Sequence, residues 1–333
     1  MIVVENYTLA VLLCILAMIC WGSWQNTQNL AGKGWRFELY YWDFILGIFL
    51  FSLVMAFTFG SMGNAGRSFI QDLRQATWPN ILSAAIGGAI WNLGTLLLVA
   101  AISITGMSVA FPIGGGIGWI LGIVINYMGQ PDGNPYLLFG GSAVIVMAIL
   151  FSMASYRKLA TTQNKAPMKG ILLSFAAGLL IAFFYRFVAA ALDTTFVPEE
   201  AGKLTSYTAV VIFSIGAIIS TLIFNPFFMR KPVQGTPVTL ADYFKGKSRV
   251  HTFGMLGGTI WCLGNSVSFM AVGSASPAIS YGLSNSAPVV GALWGILVWK
   301  EFRDAPKGTN RLLFLMFLCY LIGLGLIVYA RNG

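Results

Sequence analysis

Gly87-Gly88-Ala89-Ile90-Trp91-Asn92-Leu93-Gly94 reads against Gly257-Gly258-Thr259-Ile260-Trp261-Cys262-Leu263-Gly264, with six of eight positions identical at an offset of 170. Further on, Gly118 and Gly122 match Gly291 and Gly295 at an offset of 173. A small-residue packing face repeated by chance is the competing explanation. Working outward, ten apolar runs appear, at 8–29, 39–59, 78–102, 105–128, 135–155, 170–192, 206–228, 251–275, 277–300 and 310–330. Each is long enough to cross a ~30 Å hydrocarbon core. The repeated octet falls in the third run of each group of five. Five is odd, so a duplicated second half enters the bilayer upside down relative to the first. The expected fold is an all-α polytopic membrane protein with ten transmembrane helices arranged as two inverted five-helix repeats. Their expected extents are residues 1–158 and 159–333.

Composition agrees. Apolar residues make up 57% of the 333 and charged residues 9%, against roughly 25% charged in soluble proteins. Mean hydropathy is +0.77. A soluble enzyme, a disordered regulator and a secreted disulfide scaffold are all poor fits. The net charge of +9 reads as orientation signal rather than nucleic-acid binding. Fifteen of the 20 basic residues fall in connections on one side and four on the other, with Arg186 inside a span. The positive-inside tendency puts the basic side in the cytoplasm and both termini outside, in a cell (inner) membrane. The run Leu9–Cys20 lacks the basic flank and cleavage site of a signal peptide and continues through Trp21–Trp24, so it reads as the first span. Met229–Val250 is polar and is expected to hold a surface helix around Leu240–Phe244. Cys14, Cys20, Cys262 and Cys319 sit in apolar runs without ligand spacing. Neither metal nor cofactor is expected.

Polar groups inside hydrocarbon are costly and point to function. Asp43 is the one carboxylate placed within a span. In a partly dehydrated cavity it could exchange a proton between access states; a carboxylate near the membrane edge reaching water, or capping its helix start, is the alternative. Gln25 and Asn26 lie on the same side and could share its pocket. Trp91, Asn92, Trp261, Asn265 and Asn285 fall nearer the midplane. Asn offers donors and acceptors to hydroxyls and amides, and Trp offers a plate for a sugar or heterocycle. Arg186 could bind an anionic or polyhydroxyl ligand or lock the outer gate, or it could snorkel to the outer interface or pair with Asp193. His251, alone at a span edge, reads as interfacial. Breaks are expected at Phe111–Gly116 and Ser284–Pro288, where freed backbone groups would line a cavity.

Cys20-Trp21-Gly22-Ser23, the closing Trp294–Glu301 and the five-plus-five layout resemble the drug/metabolite transporter superfamily. Gly264-Asn265-Ser266, Phe269-Met270 and Pro288-Val289-Val290 resemble ureide permeases. So do Tyr41 and Asp43 followed by Ala56–Gly60, and the segment from Gln71 to Gly94. The likeness extends to the related glucose/ribose/rhamnose uptake porters. It implies proton-coupled import of a small uncharged polar solute, either a sugar such as ribose or glucose or a ureide such as allantoin. It also places Asp43 where the ureide permeases keep a matching Asp. Plant members carry a long central loop with a nucleotide-binding-like motif. Here the middle connection, 156–169, is short, which favours a bacterial relative. The partners implied are a small-molecule substrate, a proton and the lipid bilayer, with monomer or homodimer left open. An exporter of amphiphiles would centre on a first-span Glu, which this chain lacks. An intramembrane enzyme would need a catalytic dyad at depth, and a channel would need a continuous polar stripe.

Overall fold

The computed structural model describes residues 1–32, 34–63, 65–105, 107–159, 167–195 and 200–331, excluding the side chains of 107–109 and 111–112. Of the middle connection, residues 160–166 lie outside this description. The helices are α1 Tyr7–Ser23, α2 Gln25–Ala31, α3 Phe37–Phe57, α4 Phe69–Gln75, α5 Trp78–Thr105, α6 Met107–Gly129 and α7 Pro135–Leu159. They continue as α8 Met168–Ala191, α9 Ser206–Arg230, α10 Leu240–Phe244, α11 Ser248–Ala275, α12 Pro277–Ser284, α13 Pro288–Leu293 and α14 Thr309–Tyr329. A π-helical turn, Trp294–Val298, extends α13.

Among the described residues nine helical stretches are long and apolar enough to cross a membrane, and Ile113–Gly129 of α6 is a shorter apolar helix. Helices satisfy every backbone group internally, as hydrocarbon demands. Several starts carry their own caps. The Asn6 side chain accepts from the Leu9 N–H and the Thr205 side chain from the Thr208 N–H. Leu12, Phe314 and Leu321 point outward, as a lipid-facing surface requires.

The start of α1 and the end of α14 lie at one end of the bundle. The Ile2 N–H bonds the Phe59 carbonyl, and the Tyr7 hydroxyl bonds the Val328 carbonyl at 2.5 Å. The other, basic end is tied by Arg36 to the Thr236 carbonyl at 2.7 Å and by Lys158 to the Lys307 carbonyl at 3.3 Å.

Helix α5 packs on α8 and α9, while α11 packs on α1 and α3; α3 also meets α9, and α7 meets α14. The closest crossings are made by glycines. A Cβ on Gly88 would strike the Phe213 carbonyl, and one on Gly216 the Ala85 carbonyl. Across the bundle, Gly258 presses on the Phe44 carbonyl and Gly47 on the Met255 carbonyl.

Three features differ from the sequence reading. Helix α7 runs to Leu159 rather than ending at 155. The short helix α4 was not foreseen; Ser68 and Gln71 form a capping box at its start. The break expected at Phe111–Gly116 is missing, because the backbone of α6 is helical throughout. Its glycines serve packing instead: Gly114 and Gly118 let α8 approach, and a Cβ on Gly178 would meet the Gly114 carbonyl. The second-half break is present. Residues 285–287 form a turn between α12 and α13, where Pro288 has no N–H to continue the ladder. The surface helix Leu240–Phe244 is α10.

Candidate functional site

A cavity of about 270 Å³ runs from the middle of the bundle to the basic end, with Asn29, Trp299 and Glu301 near its mouth. Its floor is the pair Trp91 and Trp261, ring centroids 4.0 Å apart. Phe213 stacks on Trp261 at 5.7 Å, and Phe44 lies 6.4 Å from Trp91. Trp21 stacks on Trp261 from α1 and donates its indole N–H to the Trp261 carbonyl at 3.2 Å. The glycine crossings let these rings meet, because they bring α5 against α9 and α11 against α3. Among the described residues seven of the ten tryptophans line the cavity, and Glu301 is its one charged lining residue. That lining suits an uncharged solute with an apolar face and several hydrogen-bonding groups.

Four predicted residues, Trp91, Trp261, Gln25 and Asn285, line this space, as does Asn26. The Gln25 side chain bonds no described residue. Asn285 sits in the turn between α12 and α13 and donates to the Tyr281 carbonyl at 3.2 Å. The flanking segment is fixed by its own tryptophans. Trp294 donates to the Ser23 hydroxyl at 2.8 Å and Trp299 to the Asn26 amide oxygen at 2.6 Å. A π-helical turn widens the helix where these rings reach across, a common feature of functional sites.

The other predicted residues lie elsewhere. Asn92 does not reach the cavity. Its oxygen accepts from Tyr41 at 2.8 Å and Thr221 at 2.9 Å, and its amide donates to Ser220 at 3.0 Å. It is a staple joining α5 to α3 and α9. Asn265 is fully buried outside the cavity, and neither atom of its side-chain amide has a hydrogen-bond partner among the described residues. Burying such an amide unpaired costs roughly 1–3 kcal/mol by protein mutational data. Arg186 is also away from the cavity, its guanidinium 3.5 Å from the Gly129 carbonyl at the terminal end of α6. It does not pair with Asp193. That carboxylate takes Arg67 at 3.0 Å, and Arg67 also holds the buried Asp72 at 2.9 Å. This cluster ties α4 to the α8–α9 connection and seals the terminal end.

Asp43 does not share a pocket with Gln25 and Asn26. Its side chain, 3% exposed, accepts from the Tyr243 hydroxyl at 2.6 Å and meets His251 Nδ1 at 2.8 Å. The His251 ring is edge-on to Trp35 at 5.4 Å and to Tyr243 at 4.7 Å. Burial and the Asp43 carboxylate push the Tyr243 phenol upward, so it stays a donor. One turn back on α3, the Tyr40 hydroxyl meets Thr27 of α2 at 2.6 Å, and α2 walls the cavity mouth. Sequence reasoning missed His251 and Tyr243 as partners. The available signal was depth: the single histidine and the single intraspan Asp both lie near the basic end of adjacent helices.

The ureide permease family model matches residues 40–166 and 157–330. The chain belongs to the ureide permease family. Ureide permease 1 of Arabidopsis thaliana is 24% identical over 389 aligned positions, covering 100% of this chain and 99% of the relative. YxfA of Lactococcus lactis, whose name suggests sugar uptake, is 22% identical over 97% of this chain and 96% of its own length. A solved crystal structure covers 97% of this chain and is itself covered to 98%, with a TM-score of 0.59 at 15% identity; it shows a shared fold. The relatives are named as a permease and a sugar uptake protein, not as enzymes, and the chain is an integral membrane transporter.

Proposed function

We propose that this ureide permease family member is a secondary transporter importing a small uncharged polar solute, a ureide such as allantoin or a sugar such as ribose. The observation that carries this reading is the cavity: open at the basic end, closed by stacked tryptophans, and lined by amides with no Lys or Arg among the described residues. A ring-shaped solute would lie against Trp91 and Trp261, with Gln25, Asn26 and Asn285 meeting its carbonyls, amides or hydroxyls.

The same reading takes the chain as ten spans in two inverted repeats, with the basic end cytoplasmic and the termini outside. In its support, exchanging the halves maps the α5–α9 crossing onto α11–α3 and α5–α8 onto α11–α1. The glycine contacts map likewise, Gly88 on Phe213 becoming Gly258 on Phe44.

Proton coupling is assigned to Asp43, with His251 as its exchange partner. The pair sits at the basic end, one turn from the Tyr40–Thr27 bond that leads to the cavity mouth. The carboxylate and imidazole can pass a proton between them, and a change in their charge would loosen α3 from α11 and α10. The test uses membrane vesicles with an imposed proton gradient and radiolabelled allantoin or ribose. The native chain accumulates one of them uphill. Asp43→Asn abolishes accumulation while downhill exchange survives in part. Uphill uptake by that variant at native levels removes Asp43 from coupling. Failure of the native chain to take up either solute removes the substrate assignment.

A further inference from the structure

Helix α5 lines the cavity with Trp91, Thr95, Leu98, Val99 and Ile102. At the octet's offset of 170, the corresponding positions on α11 are Trp261, Asn265, Ser268, Phe269 and Val272. Of these only Trp261 touches the cavity. The rest are buried beyond the tryptophan floor, toward the terminal end. Two are polar where their counterparts are less so or apolar: Asn265 answers Thr95, and Ser268 answers Leu98.

That sealed region is unusually polar for the interior of a membrane bundle. Asn265 follows Trp261 by one helical turn, on the same face, and its amide bonds nothing. The next turn brings Ser268, whose hydroxyl meets the Tyr185 hydroxyl at 3.0 Å and Ser280 at 3.4 Å. Ser280 also meets Tyr185 at 3.0 Å and the Cys14 thiol at 3.5 Å. The cluster thus draws on α1, α8, α11 and α12. Phe269 stands 5.0 Å from Tyr185 and packs the space between. An apolar core would be cheaper here, and an unpaired amide is the costliest member.

We infer that these residues form a second, outer half-site for the solute, closed in this conformation. When the bundle rocks to open the terminal end, Asn265, Ser268 and Ser280 face water and the incoming solute, as Thr95 and its α5 neighbours do now. The missing partner of Asn265 is then a carbonyl, amide or hydroxyl of an uncharged polar solute entering from the terminal side. The inference rests on the transport reading above and adds to it. The two half-sites differ in what the paired helices offer: α11 supplies Asn265 and Ser268 where α5 supplies Thr95 and Leu98.

The test needs no knowledge of the solute. A membrane-impermeant maleimide is applied separately to the two faces of vesicles holding the full chain, and peptide mass spectrometry locates each adduct. Leu98→Cys is expected to react from the basic face only. Ser268→Cys is expected to react from the terminal face only, as is Cys14 of the unaltered chain, which reads the same region should Ser268→Cys fail to insert. If Leu98→Cys reacts while residue 268 and Cys14 stay inert from both faces, the outer half-site is refuted and the inner cavity stands. If Leu98→Cys is inert as well, the transport reading falls and this inference with it.

Discussion

Helices α5 and α11 carry nearly the same octet and cross their neighbours through the same glycines, yet beyond the tryptophan one lines a cavity and the other is buried. What they share is the crossing. Gly88 and Gly258 each meet a phenylalanine carbonyl, and the tryptophan three residues on enters the central ring cluster from each side. What separates them is the turn that follows. Thr95 stands at the cavity wall, while Asn265 is enclosed without a partner. The shared part holds the fold and the differing part depends on the conformation. A residue's burial here describes one state of the helix pair rather than a permanent place in the core.

The largest effect should come from breaking what the two helices share. Gly88→Val and Gly258→Val each drive a side chain into a backbone carbonyl that cannot rotate away. Overpacking of this kind costs about 1–3 kcal/mol and sometimes more. Both variants are expected to lower the yield of folded protein and its melting temperature in detergent, by similar amounts. Gly140→Ala and Gly325→Ala, with no neighbour within 4 Å of the added methyl, serve as controls and should change little. A large loss at one crossing and none at the other would end the equivalence of α5 and α11.

A smaller effect separates the two asparagines. Asn92→Leu strands the Tyr41 hydroxyl, while Ser220 and Thr221 keep the Ala89 and Ala217 carbonyls, and leaving a buried group unpaired costs roughly 1–3 kcal/mol. Asn265→Leu removes an amide that already bonds nothing, so the melting temperature should hold or rise. Transport from the terminal side should nevertheless fall. A melting temperature that drops equally in both variants would show that Asn265 has a structural partner after all, and the contrast between the helices would lose its meaning.

Much of the helical architecture was legible in the sequence, because hydrocarbon imposes length and apolarity on a span. The surface helix Leu240–Phe244 was legible for a similar reason, its polar flanks isolating it. Depth was legible too, and it placed Trp91 and Trp261 together. Rotation was not. Asn92 and Trp91 are neighbours in sequence and differ by about 100° around the axis, which is enough to turn one toward α3 and α9 and the other toward the cavity. Nor could sequence spacing distinguish glycines that break a helix from those that admit a neighbour, so Gly114 was misread. The pairing of Asp43 with His251 depends on the α3–α11 crossing, and no pattern within either helix encodes it.

The comparison extends to the short helices that precede each octet. Both α4 and α10 begin with a capping box, Ser68 with Gln71 and Thr239 with Asp242. Beyond that they are held differently. Helix α4 is anchored by the buried Arg67–Asp72 pair and the Thr205 N–H on Asp72, whereas α10 docks through the Tyr243–Asp43 bond. The local cap therefore matters more to α10. The Thr239 hydroxyl and backbone N–H, bonded to the Asp242 carboxylate, hold it below the ordinary carboxylate value of 3.8. A lowered carboxylate stabilises the ordered helix above its ordinary value, and that stabilisation is lost as pH falls through the lower, folded one. Asp242→Ala should thus speed amide exchange across residues 239–246 at neutral pH, with the gap to the native chain closing as the pH drops below 3.8. The effect should be small, because the carboxylate is exposed and water screens it. The matching segment 68–75 should not respond to that substitution at any pH. Exchange in 239–246 that ignored both the substitution and the pH would mean that Tyr243 alone keeps α10 in place, making Asp43 the anchor of this helix as well as the partner of His251.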